Sequence, residues 1–177
     1  MKYIRLNPIG MLAAGFLLGV FSRWLDLYTT NLGNIFSQLA IWILFGTLIS
    51  IYSHTQKAAM CNMLPFCIGM LAAYYGAAVL SGGVYSRTMI IGWTVFALCS
   101  PVFAWFAWLT KERGIFPKVI SVGILLVSVL SSVILFDGFR VYDFIIDALL
   151  AYFLFFKRVE RHSKSQFVEA KHMTSMK

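Results

Sequence analysis

Charge is what this sequence has least of. Of its 177 residues, 12% are Asp, Glu, Lys or Arg, about half the share of a soluble domain. That excludes a water-solvated surface over most of the chain. Cysteine and histidine number three each. Cys61, Cys67 and Cys99 stand singly inside apolar stretches, so no disulfide framework or zinc site is expected, and they read as small buried thiols. His54, His162 and His172 all fall on the expected cytoplasmic side, remote from the aspartates of the outer half, which argues against a metal. A Gly-rich phosphate loop, an HExxH motif and a nucleophile elbow are all missing, so no cofactor and no soluble-enzyme chemistry is expected.

What the chain has is apolar side chains, 60% of the total, in blocks too long for a soluble core of this size. Six blocks have the length of a membrane span: Pro8–Tyr28, Gly33–Ser53, Ala58–Leu80, Thr88–Leu109, Val119–Phe136 and Val141–Phe156. Turn and charge signals join them: "TTNLG", "HTQK", "SGGVYSR", "TKERGIFPK" and "DGFR". The start has the basic residues and apolar run of a signal peptide but no clear small-x-small cleavage site, so it reads as a retained first helix. The expected fold is an all-α integral membrane bundle of six transmembrane helices over residues 1–157. A basic cytoplasmic tail, 158–177, follows.

Lys and Arg placement tests this division independently. With six spans, the N-terminus, second link, fourth link and tail share a side and hold twelve of the fifteen basic residues. The other side holds Arg23, Arg87 and Arg140 alone. The positive-inside rule then puts both termini in the cytoplasm of a bacterial cell membrane. Belt aromatics agree, with Trp24, Tyr28, Tyr85 and Tyr142 at outer ends and Tyr52, Trp105 and Trp108 at inner ends. The net charge of +8 follows from the same bias, and nucleic acid is not an expected partner.

Ionisable groups inside a span cost about 2.5–3.5 kcal/mol for Asp at a helix centre, so they carry more information than the apolar stretches around them. In the sixth span Arg140, Asp143 and Asp147 fall at i, i+3 and i+7, on one helix face. Asp147 lies roughly 9 Å below Val141, at about 1.5 Å per residue, too deep for so short a side chain to reach water. Asn31, Asn34 and Gln38 make a matching stripe in the second span, with Trp42 a turn further. Arg23 and Asp26 end the first span and Arg87 starts the fourth. These residues point to a polar pocket in the outer half that binds a small polar solute. Asp147 and Asp143 would supply anionic contacts, Arg87, Arg140 and Arg23 cationic ones, and Asn34 and Gln38 neutral hydrogen bonds. The structural alternative is ion pairing alone: Asp147 with Arg87 or Arg23, or Arg23 with Asp26.

Two further features stand out. His54 and Cys61 are seven apart, a spacing similar to that of the membrane peptidases that process staphylococcal-type signalling peptides. The glycines and basic residues that precede the histidine in that family are absent from "ISIYSHTQKAAMC". Pro65 and Pro101 fall inside the third and fourth spans and are expected to kink them.

The hexamer "IGMLAA" occurs twice, at 9–14 and 68–73. Both copies set small residues four apart, Gly10 with Ala14 and Gly69 with Ala73. Gly15 with Gly19 extends the first face. Such faces allow close helix approach. Gly10 and Ala14 are the expected face for another membrane protein, and a duplication is not implied.

At "LDLYTTNLGNIFSQLAIWILFGTLISIYS" and "FCIGMLAAYYGAA" the chain resembles an uncharacterised group of small six-span bacterial membrane proteins, chiefly of Gram-positive lineages. The resemblance implies a membrane location and no chemistry. In size, span number and outward polar cluster the chain is also similar to the substrate-binding subunits of energy-coupling-factor vitamin transporters. Those subunits dock to a transporter module through small residues four apart on their first helix, the spacing of Gly10 and Ala14. That similarity implies a solute-binding component. The expectation is therefore a bilayer-embedded solute-binding or transport protein, with a structural or regulatory membrane protein as the alternative and a cysteine peptidase as a minor one.

Overall fold

The computed structural model describes residues 6–29, 39–81, 87–135, 140–157 and 159, without the side chains of Met89 and Leu135. Among the described residues there is no strand. The helices are α1 (Pro8–Tyr28), α2 (Leu39–Tyr52), α3 (Gln56–Leu80), α4 (Arg87–Leu109), α5 (Ile115–Leu135) and α6 (Val141–Ala151), the last continuing as a π-helical turn, Tyr152–Phe156. Four of them, α1, α3, α4 and α5, are long and apolar enough to cross a membrane, and α2 and α6 are shorter. The outer part of the expected second span, including Asn31, Asn34 and Gln38, lies outside the described residues. So does the tail apart from residue 159.

Local chemistry explains the boundaries. Asn7 caps α1 by accepting the Gly10 N–H, and Pro8 opens the helix where a missing N–H is no loss. Thr55 caps α3 by accepting the Ala58 N–H at 3.0 Å, so that helix starts two residues before the expected Ala58. α5 starts at Ile115 rather than Val119. Gly114, at φ +132°, turns the chain into it with a backbone conformation that side chains oppose. Pro117 sits in the first turn, where no N–H needs a partner. Pro65 and Pro101 are internal to α3 and α4, and both helices continue past them.

α2 is the central element and packs against α3, α4, α5 and α6. One cluster joins Trp42 on α2 to Met63, Phe66 and Met70 on α3 and to Ala97 and Ala104 on α4. A second joins Ala40 and Leu44 of α2 to Ile146, Leu150 and Leu154. α1 stands outside this group and packs on α3. Along that seam a Cβ at Gly15 would lie 2.1 Å from the Phe66 carbonyl oxygen, one at Gly19 2.4 Å from that of Met70, and one at Gly69 2.5 Å from that of Leu12. The backbones meet because these positions have no side chain. Ala73 is buried against Gly19.

Polar contacts close the end of the bundle where α2 meets α3. Trp108 Nε1 donates to the Ser53 carbonyl at 3.0 Å, and Asn62 Nδ2 donates to Ser53 Oγ at 3.3 Å and to the Leu6 carbonyl at 3.4 Å. Lys111, in the link between α4 and α5, donates to the carbonyls of Phe153, of Leu154 at 2.9 Å and of Lys157 at 2.9 Å. It places a cation on the C-terminal carbonyls of the last helix, where the dipole is negative.

Polarity is distributed inside out. Ser50, Ser100, Ser128 and Asp143 are fully buried, while Leu17 is 70%, Val141 80% and Leu80 90% exposed. Cys67 is buried, but Cys61 and Cys99 are exposed, which corrects the expectation of three buried thiols. A bundle whose outer face is apolar has no reason to draw a small apolar side chain inward.

Candidate functional site

The residues expected to form one polar cluster separate into two. The first lies between α5 and α6. Asp143, the third residue of α6, is fully buried, and its Oδ2 accepts the Arg140 backbone N–H at 2.9 Å. It thereby caps its own helix, where the dipole also favours a carboxylate. Asp147, one turn deeper, is 7% exposed, and its Oδ1 accepts from the Ser128 hydroxyl of α5 at 2.6 Å. The other oxygens, Asp143 Oδ1 and Asp147 Oδ2, are buried without a hydrogen-bond donor. The two carboxylates stand four residues, one turn, apart on the same face of α6.

On α5 the facing surface is a serine patch. Ser128, Ser131 and Ser132 fall at i, i+3 and i+4 and are all buried. Ser131 Oγ donates to the Ser128 carbonyl at 2.7 Å, and Ser132 Oγ to the same carbonyl at 3.4 Å. The Ser128 hydroxyl is thus left to serve Asp147. The only signal of this patch in the sequence is the helical spacing of three serines in one apolar span.

Arg140 is at the rim of this site. Its guanidinium is exposed and donates to the Tyr142 hydroxyl at 2.6 Å, which raises its pKa further.

The second cluster ties α1 to α3. Arg23 Nη1 lies 3.4 Å from Asp26 Oδ2 in an ion pair, and its Nη2 donates to Ser81 Oγ at 3.2 Å. The Tyr74 hydroxyl donates to the same Asp26 oxygen at 2.6 Å, and the guanidinium lies 5.9 Å from the Tyr74 ring centroid. Arg23 therefore belongs to the α1–α3 contact, while Asp143 and Asp147 belong to the packing of α6 on α2 and α5. Arg87 is exposed at the start of α4. Neither Arg23 nor Arg87 forms an ion pair with Asp147, and Asn34 and Gln38 lie outside the described residues.

The remaining candidates occupy different surroundings. Gly15, Gly19, Gly69 and Ala73 are spent in the α1–α3 seam, whereas Gly10 and Ala14 are exposed on α1. His54, in the bend before α3, and Cys61, in its second turn, are both exposed. A cavity of about 380 Å³ lies between α2, α4 and α5. Trp42, Phe96, Phe103, Ile124 and Val127 line it, with Thr47 and Ser100 as its polar members. Trp42 thus faces the apolar interior rather than extending a polar stripe. Among the described residues no group of three or more His, Cys, Asp or Glu could hold a metal ion.

Comparison with protein-family models, with curated proteins and with solved structures finds no match for this chain.

Proposed function

We propose that this is a multi-pass protein of a bacterial cell membrane, with both termini cytoplasmic, acting as a binding or transport component for a small polar solute. Asp143 and Asp147 form the core of its site. The inside-out polarity supports lipid as the solvent. The four long apolar helices and the basic residues gathered on alternate links support the same reading.

A single observation carries the binding function. Two buried carboxylates each keep one oxygen without a hydrogen-bond donor, and an unsatisfied buried charge at membrane depth is costly enough to mark a functional position. The serines of α5 add neutral hydrogen-bonding groups beside it, and Arg140 stands at its mouth.

Purified full chain in lipid nanodiscs, screened by thermal shift against amino acids, polyamines, sugars and water-soluble vitamins, tests this. A solute class that raises the melting temperature of the wild type and leaves Asp147→Asn unmoved is expected. Equal shifts in both proteins, or none in the wild type, would refute the binding reading. A reporter active only outside the cytoplasm, fused after Lys177, should stay silent.

The structural alternative draws on the Arg23–Asp26–Tyr74 cluster, where the two charges pair with each other and serve helix contact, with Arg23 Nε the one buried atom of the cluster left without a partner. The peptidase reading requires Cys61, so Cys61→Ala with unchanged function removes it.

A further inference from the structure

We propose that Asp143 and Asp147 together hold one exchangeable small monovalent cation, either a proton or an alkali-metal ion. This deepens the solute-site reading and rests on it.

The charge balance of the site leads there. The two carboxylates share one face of α6, i and i+4, and both are buried. Asp143 is partly compensated where it stands, by the Arg140 backbone N–H and by the positive end of the helix dipole, about half an elementary charge. Asp147 has only the Ser128 hydroxyl, a neutral donor. With both carboxylates ionised the site is therefore short of about one to one and a half positive charges.

Among the described residues no side chain supplies that charge. The elements packed on α6 are α2, α5 and its own π turn. The titratable groups they carry are Tyr52, Lys118 and Tyr152. Lys118 is ten residues from Ser128 along α5, roughly 15 Å at about 1.5 Å per residue. Tyr52 and Tyr152 offer no cation and lie toward the opposite helix ends. On α6 itself Tyr142 is neutral, and Arg140 is exposed, with its guanidinium on that tyrosine. Arg23, half-buried on this side, is paired with Asp26, and Arg87 is exposed.

The open atoms are hard oxygens: Asp143 Oδ1, Asp147 Oδ2 and the lone pairs of the serine hydroxyls. Those suit a proton or an alkali ion. Ca²⁺ takes about six to eight oxygens, more than the two open carboxylate oxygens and the serine hydroxyls offer among the described residues, and the double charge of any divalent ion exceeds the deficit.

The test uses the full chain in nanodiscs, with melting temperature followed against pH in sodium-free buffer and against NaCl, with choline chloride as control, at fixed pH. If the cation is a proton, wild-type stability is present in acid and lost as pH rises. The expected fall exceeds about 3 °C, roughly a tenfold change in the folding equilibrium of a protein of this size, with no response to sodium. If it is an alkali ion, sodium raises the melting temperature by a similar amount and choline does not. In either case Asp147→Asn should be flat, and Asp147→Glu should keep the dependence. Should Asp147→Asn fail to fold, the infrared carbonyl band of a protonated carboxylic acid and sodium-dependent tryptophan fluorescence in the wild type replace it. A wild type indifferent to both pH and sodium, or an Asn variant that follows it in both, overturns the cation site. A wild type that responds to a solute but to neither cation refutes this inference and keeps the solute site. Cation dependence without any solute response does the reverse.

Discussion

Replacing Gly15 by Ala adds one methyl group, and the structure says where it goes. The new Cβ would stand 2.1 Å from the Phe66 carbonyl oxygen, 2.9 Å from its carbon and 3.0 Å from its Cα, where ordinary contact begins at 3.4 Å. All three are backbone atoms of α3, so no side chain can swing aside. Relief requires α1 and α3 to separate by about 1.3 Å locally, and a gap of 0.5–1 Å already forfeits about a quarter to a half of a dispersion contact. Overpacking of this kind costs about 1–3 kcal/mol, or about 3–10 °C of melting temperature in a chain of this length. The gain in helix propensity, up to about 1 kcal/mol, offsets part of it. Gly76→Ala is the matched control, because its Cβ meets nothing within 4 Å and only the propensity gain applies. Thermal unfolding of both variants in nanodiscs decides the matter. If Gly15→Ala melts at or above Gly76→Ala, the close α1–α3 seam is not the source of stability argued here.

Three other changes follow from particular contacts. Lys111→Met removes a cation from the carbonyls of Phe153, Leu154 and Lys157. It should cost about 1–2 kcal/mol and speed amide exchange in the final turn about tenfold by mass spectrometry. Ser128→Ala leaves Asp147 without its hydroxyl donor and should lower stability by about 1–3 kcal/mol, whereas Ser131→Ala, which loses only a bond to its neighbour's carbonyl, should change it by far less. Trp108→Phe removes the donor to the Ser53 carbonyl and should cost about 1 kcal/mol in the same melting assay.

The helices were legible because their signal is long-range composition, repeated over many residues, and because caps such as Thr55 act locally. The start of α5 was not. "GIFPK" reads as a turn by composition, and only the placement of Pro117 in a first turn makes it helical. The depth of Asp147 could be counted along the sixth span, and Asp143 could be placed in a first turn. Their partner could not, since nothing in a span's own sequence says which neighbour it meets. Ser128 became significant only when α5 and α6 were brought together. The same limit explains the two copies of "IGMLAA". Small residues four apart announce a close approach without naming the helix that approaches. In the copy at 68–73, Gly69 and Ala73 are buried against α1, while in the copy at 9–14, Gly10 and Ala14 are exposed and the contact has moved on to Gly15 and Gly19.

The placement of α1 on α3 has a consequence for biogenesis. During synthesis Gly15 and Gly19 leave the ribosome well before the residues they touch, Phe66 to Ala73, which follow roughly fifty residues later. At about 5–20 residues per second that delay lasts several seconds. Throughout it the first helix has a bare glycine groove and a half-buried arginine, Arg23, with only Asp26 to answer it. The newborn helix must wait beside the insertion machinery or in lipid until its mate arrives, passing the intervening α2 without pairing. Assembly of this bundle is therefore out of chain order, because the first helix to be made must wait for the third.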